Sequence, residues 1–391
     1  MQTTHFKKML LASAVALGLA AAPASQAEVK IGLITTLSGG GAALGQDQRD
    51  GFMLAVEQNG GKLGGQDVSV IIEDDQMKPE QGVQIARKLV NNDKVDFVTG
   101  IIFSNVMMAA RTPILDSKTF LIGSNAGPSP MSGAECSPYF FSTSWNNDQL
   151  HEGAGEIATK LGYKNMYLMA PNYQAGKDAL AGFKRFYKGE VLDEVYTQIG
   201  QLDYSVEIAQ LQQAKPDAVY VMYPGSMGVN FVKQYRQAGL LGTLPLISAA
   251  TIDGSTLPAL QDLALGAITN APWAVNLDNP QSKQFVEAFQ AKYNRVPSQY
   301  AAQSYDAANL IASAIKKLDG NMKDKDAVRK ALEAADFKSI RGNFKYNTNH
   351  FPITDWYRVD VVKDENGKAA LHAVDVVLKD HKDAYYEQCK M

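Results

Sequence analysis

Cysteine is nearly missing from this chain: Cys136 and Cys389 are the only two in 391 residues. Neither has a partner ligand at zinc-finger spacing, which excludes a structural zinc site. Histidine is scarce as well. His151, His350, His372 and His381 are the only ones after the first few residues, and none lies in a metal-binding or Gly-x-Ser-x-Gly context. A strong charge of either sign is lacking, with 38 Lys and Arg against 41 Asp and Glu. Such a mildly acidic chain has no reason to seek nucleic acid or anionic lipid. Beyond residue 27 there is no apolar run of about 18 residues, the length needed to span a bilayer. No long low-complexity segment is present either.

What is present begins at the N-terminus. Lys7 and Lys8 precede the apolar run Met9–Ala22, Pro23 ends it, and Ser25-Gln26-Ala27 supplies a small-x-small exit before Glu28. A charged start, a short apolar core and a small-residue exit make a secretory signal peptide over residues 1–27. The run is too short for a permanent membrane span. The working chain is thus expected to start at Glu28 and to function outside the cytoplasm. Removing 27 of 391 residues leaves 364, and losing Lys7 and Lys8 moves the formal charge from −3 to −5. That length exceeds one ordinary core, so two domains are expected. In an oxidising compartment Cys136 and Cys389 become a candidate disulfide, with two free thiols as the alternative.

Strand and helix patterns alternate along the chain. Val29–Ile34 reads as a strand, followed by a glycine-rich loop over 37–45 and a helical pattern through Asp50–Val56. Val68–Ile72 is a second strand, Pro79–Val90 a helix and Val95–Gly100 a third strand. The alternation restarts after residue 147, with helices at 150–161, 175–187, 205–214 and 227–238. Strands at 165–169, 191–195, 217–222 and 244–248 follow them in turn. Such a pattern means parallel α/β sheets, here two units in tandem. Helical patterns at 280–293, 301–318 and 324–335 follow. Trp356–Lys363 and Leu371–Leu378 close the chain as strands joined by an Asp364-Glu365-Asn366-Gly367 turn.

The 38–45 loop sits where a nucleotide loop would sit, but it carries neither Gly-Lys-Ser/Thr nor glycines at dinucleotide spacing. It remains a loop exposing N–H groups at a helix start. Asp74-Asp75 follow a strand. Adjacent residues there point to opposite faces, which argues against a paired general acid and base. No cofactor and no metal is expected.

Several segments together resemble a known family. They are Lys30-Ile31-Gly32-Leu33, Leu37-Ser38-Gly39, Asn59–Gly65, Glu73-Asp74-Asp75-Gln76 with Pro79-Glu80, Val98–Ser104, Phe141–Trp145 and Tyr235–Leu240. In this order they resemble periplasmic binding proteins of the leucine/isoleucine/valine type, from about Glu28 to the C-terminus. The resemblance implies a type I periplasmic binding protein fold. It has two Rossmann-like parallel-sheet lobes joined by three hinge crossings, here near residues 146, 274 and 345. Lobe one would comprise 28–146 plus 275–345, and lobe two 147–274 plus 346–391. It further implies a monomer that hands a solute to the membrane permease subunits of an ABC importer.

In open α/β sheets ligands bind beyond the C-terminal strand ends. In lobe one this selects Ser38 to Leu44, Phe103-Ser104-Asn105 and the loop with Asn125, Ala126 and Gly127. In lobe two it selects Tyr173, the segment from Pro224 through Ser226 to Met227, and Ala250, Thr251 and Asp253. The resemblance places a ligand carboxylate on Ser104 and the Ala126–Gly127 loop, with Tyr173 stacking from lobe two. Amino-acid binders of the family commonly carry an acid near Ala250. Its absence here, beside the lining candidates Phe103, Trp145, Tyr173, Tyr223 and Met227, points to a small aromatic carboxylate. The alternative is a branched-chain or other aliphatic amino acid, with Asp253 as the ammonium partner. A secreted enzyme would need a constellation assembled only by folding, and a sensory module would need a signalling domain that the sequence does not resemble.

Overall fold

The computed structural model describes residues 28–391; the expected signal peptide, residues 1–27, lies outside them. The chain first builds β1 (Val29–Thr35), α1 (Ala42–Gln58), β2 (Lys62–Leu63), β3 (Gln66–Asp74) and α2 (Pro79–Lys88). It continues through β4 (Phe97–Gly100), α3 (Ser104–Asp116), β5 (Phe120–Gly123), α4 (Ser129–Ser132) and β6 (Phe140–Ser142). The strands form one sheet in the order β2-β3-β1-β4-β5-β6, parallel except for the short β2.

The chain then crosses over and repeats the scheme. The second set is α5 (Asn147–Lys160), β7 (Asn165–Pro171), α6 (Gln174–Phe186), β8 (Glu190–Thr197), α7 (Ser205–Ala214) and β9 (Ala218–Val221). It ends with α8 (Ser226–Gln237), β10 (Leu246–Ser248), α9 (Leu257–Leu260) and β11 (Ile268–Ala271). A second crossing returns the chain to the first sheet with α10 (Pro280–Tyr293), α11 (Gln299–Lys317) and α12 (Lys325–Glu333). A third adds β12 (Lys345–Tyr346), β13 (Pro352–Lys363) and β14 (Ala369–His381) to the second sheet. There β13 pairs antiparallel with β11, so the second sheet is mixed. The two-lobe α/β expectation holds.

Period-2 alternation sets the layers. Ile31 and Leu33 of β1 face a core shared with Phe52 of α1 and Ile311 of α11, while Ile34 faces the opposite core with Ile85 and Val106. Gly32 lies under Leu89, where an added Cβ would come within 2.6 Å of that side chain. Asp74 and Asp75 do structural work. Asp75 accepts from the Thr36 hydroxyl at 2.6 Å and Asp74 from Leu37 N–H at 2.8 Å, so they fix the entry to the glycine-rich loop.

Arg341 holds the crossings together. It donates to Ser144 O at 3.1 Å, to Thr143 O and to buried Asp306. Asn270 at the second crossing donates to Leu150 O at 2.6 Å. Cys136 and Cys389 form a disulfide with Cα atoms 5.6 Å apart.

Candidate functional site

The strand ends of both sheets converge on one cavity. Ile102 and Phe103 follow β4, Asn125 and Ala126 follow β5, Tyr173 follows β7, Met222 and Pro224 follow β9, and Ala250 follows β10. This is the side of an α/β sheet where ligands bind. Four helices begin here without a side-chain cap, their N-caps being Gly41 for α1, Phe103 for α3, Tyr173 for α6 and Gly225 for α8. By contrast α5, α10, α11 and α12 are capped by Asn146, Asn279, Ser298 and Asp324, while α2 and α7, whose starts do not line the cavity, are uncapped too. An uncapped first turn leaves N–H groups for another acceptor, and the helix dipole favours an anion there.

Ser104 opens α3 and is buried. Its Oγ accepts from Asn147 Nδ2 at 3.0 Å, and its own O–H has no acceptor among the described residues. Asn147 also donates to Asp178 at 2.9 Å, while its Oδ1 accepts from Gly127 N–H at 3.2 Å. Ala126 N–H donates to Ile101 O at 3.1 Å. The amides of the Ala126–Gly127 loop are therefore used within the chain. The donors left at the lobe-one end are the Ser104 hydroxyl and the first turn of α3. Asn105 lies in that turn, its Oδ1 buried without a partner among the described residues.

Leu150, Ala175 and Met222 of lobe two form the apolar wall together with Trp145, which precedes the first crossing and packs in the same cluster, and Tyr173 packs against the cores of both lobes. His151 also lines the cavity. Its Nδ1 is hydrogen-bonded to the Tyr220 hydroxyl, and burial pushes its pKa down to about 3, so the ring is neutral. No charged side chain lines the cavity among the described residues.

The lobes touch around this site. A Cβ on Gly225 would fall 2.4 Å from Gly40 O, which shows how closely the two glycine loops meet. Ser129 N–H donates to Asp178 at 3.2 Å and Tyr300 Oη to Asp253 at 3.0 Å. The cavity between them is about 30 Å³, so a larger ligand enters only when the lobes part.

Of the residues expected from sequence, Leu44, Phe103, Ser104, Asn125, Ala126, Trp145, Tyr173 and Ala250 line the cavity. Ser38 is exposed on the loop, and Ser226 stands at the rim beside Gly40. Gly127 packs on the Trp145 backbone. Three others face the interior of lobe two. Tyr223 packs on Tyr204 and Phe231, Met227 lies in the same cluster, and the Thr251 hydroxyl accepts from Tyr223 N–H at 2.7 Å. Asp253 does not line the cavity either. It is buried behind Tyr300, accepting from Ser255 N–H at 2.8 Å, Ser255 Oγ at 2.6 Å and Thr256 N–H at 3.2 Å besides Tyr300. Burial raises its pKa. Asn147, Leu150, His151 and Tyr300 line the cavity unannounced by sequence. Asn147, Leu150 and His151 stand at the start of α5, next to the first crossing, which was the one available signal for them; Tyr300 stands at the start of α11, away from any crossing.

A larger groove of about 730 Å³ opens on the flank between the second crossing, the loop at 294–299 and the hairpin at 368–372. Its one guanidinium, Arg295, is already paired with Asp47 and Asp50. The groove lies away from the uncapped helix starts, which favours the smaller cavity as the ligand site.

A family model described as periplasmic binding protein matches residues 28–368. A Leu/Ile/Val-binding protein homolog of Brucella melitensis is 28% identical over 373 residues, spanning 92% of this chain and 94% of that protein. An ABC transporter solute-binding protein from R. palustris, crystallised with benzoate, is 29% identical with a TM-score of 0.88, covering 93% of this chain and 100% of its own. Another, from Rhodopseudomonas palustris BisB5 in complex with 3,4-dihydroxybenzoic acid, is 28% identical with a TM-score of 0.84, covering 91% and 99%.

Proposed function

This chain belongs to the periplasmic binding protein family, and on that premise we propose that it carries a small aromatic carboxylate to the permease subunits of an ABC importer. It works in the periplasm as a monomer, and its lobes close on the ligand. The observation that carries the ligand class is the charge balance of the cleft. An uncapped helix start and a free serine hydroxyl wait at one end, and no carboxylate lines the rest. An amino acid would bring an ammonium as well. Burying that group without a partner costs several kcal/mol, about a thousandfold in affinity. The rings of Phe103, Trp145, Tyr173 and Tyr300 suit a flat apolar body. The two relatives crystallised with benzoates support the same reading.

A second reading, an aliphatic amino acid, draws on the Brucella relative and on Asp253, one residue behind the cavity wall. Calorimetry with benzoate and with leucine, on wild type and Asp253→Asn, separates the two. Benzoate is expected to bind, and Asp253→Asn to change its affinity by less than about fivefold, the size of one modest hydrogen bond. Tight leucine binding that disappears with the Asp253 charge would overturn the aromatic reading. Small-angle scattering with saturating benzoate should show compaction.

A further inference from the structure

The polar groups around the cavity are mostly committed. Asn125 donates to Ile102 O at 2.7 Å and accepts from Gln303 at 2.8 Å, Asn147 serves Ser104, Asp178 and Gly127, and Tyr300 serves Asp253. His151 differs. It stands on α5, one helical turn beyond Asn147, the residue that donates to Ser104, and only its Nδ1 is engaged, by Tyr220. Tyr220 is held in place by stacking on Phe183 with ring centroids 4.3 Å apart. Nε2 has no protein partner among the described residues.

We propose that His151 sets specificity: its Nε2 binds a hydroxyl on the ligand's ring, so that the preferred ligand is a hydroxylated aromatic acid. The inference rests on the aromatic-carboxylate reading above and names the ligand's second polar group. A hydroxyl is the group that fits. The ring is neutral because burial lowers its pKa, so a second carboxylate gains no cationic partner. The tautomer depends on which atom gives the proton in the Tyr220 contact, and Nε2 is accordingly a donor or an acceptor. A phenolic hydroxyl serves either form, since it both donates and accepts.

The test is the ratio of affinities for 4-hydroxybenzoate and benzoate, measured by calorimetry on the full chain. Wild type should prefer 4-hydroxybenzoate by about tenfold, the worth of one buried hydrogen bond. His151→Leu should bring the ratio to about one. His151→Gln, which keeps a donor and an acceptor, should retain most of the preference. Nitrogen-15 NMR of the wild-type histidines needs no variant: the His151 Nε2 signal should move with 4-hydroxybenzoate and stay with benzoate. An unchanged ratio in His151→Leu, a loss of both ligands together in a variant that melts normally, or an Nε2 signal that ignores the hydroxyl would overturn the inference and leave the aromatic reading standing. Wild type that binds leucine and neither benzoate would remove both.

Discussion

Replacing Ser104 by alanine separates what the start of α3 does for the ligand from what it does for the fold. The Oγ makes one protein contact, accepting from Asn147 Nδ2 at 3.0 Å. Asn147 keeps its other bonds after the change, to Asp178 at 2.9 Å and from Gly127 at 3.2 Å. The fold therefore loses one neutral hydrogen bond, about 1 kcal/mol. In a domain pair of this size that lowers the melting temperature by only about 1–3 °C. The ligand loses more. A hydroxyl donating to a buried carboxylate is a charge-assisted bond worth roughly 1.5–3 kcal/mol, or about tenfold to a hundredfold in affinity. Calorimetry with benzoate reads the second quantity and a thermal melt the first. The melt of the variant should stay close to wild type while the affinity falls. An affinity within about twofold of wild type would refute the assignment of the carboxylate to this helix start.

Three other outcomes follow from the geometry. Gly225 has φ 63° and ψ −133°, and a Cβ there would strike Gly40 O only when the lobes meet, so Gly225→Ala should resist closure. Scattering at saturating ligand should then show a larger radius than wild type; equal compaction would count against these glycines as the closing lips. Burial, aided by Asp148, raises the Asp178 pKa to about 6. A carboxyl raised in the folded state adds stability that is full below its usual value near 3.8 and is lost as pH rises through 6. Wild type should therefore gain melting temperature over Asp178→Asn as pH falls from about 7.5 to about 5, and a constant difference would refute this. The disulfide spans 253 residues, so the Cys136→Ser/Cys389→Ser pair should lose roughly 2–5 kcal/mol of unfolding free energy. Ligand affinity should persist, because the tail is also held by Asn349 to Asp383 at 3.0 Å and Tyr385 to Asp148 at 2.8 Å; two reactive thiols in the denatured, unreduced protein would show that the bond is missing.

Local periodicity by itself determined the two tandem α/β units. The helices at 205–214 and 280–293 and the strand starting at Val29 stand where the sequence pattern puts them. Strand-end logic likewise reached Phe103, Ser104, Tyr173 and Ala250, because a loop after a parallel strand faces the cleft whatever the rest of the chain does. Short strands were harder. β5, β6 and β11 run three or four residues and are buried almost throughout, so they show no alternation to read. Side-chain direction within a loop was harder still. Tyr223, Met227 and Thr251 lie in cleft-forming segments yet turn into lobe two, because Tyr204 and Phe231 offer them an apolar core. Asp253 reads as a free loop acid, and only the approach of α11 from the other lobe gives it Tyr300, 47 residues away. His151 is a polar residue inside a helix until α5 packs against the second sheet and Tyr220, 69 residues on, meets its ring. Hydrogen bonds between distant residues leave no periodic trace in the chain. Burial, which makes the His151 ring neutral and puts its free nitrogen at the cavity, is a property of the packed lobes alone.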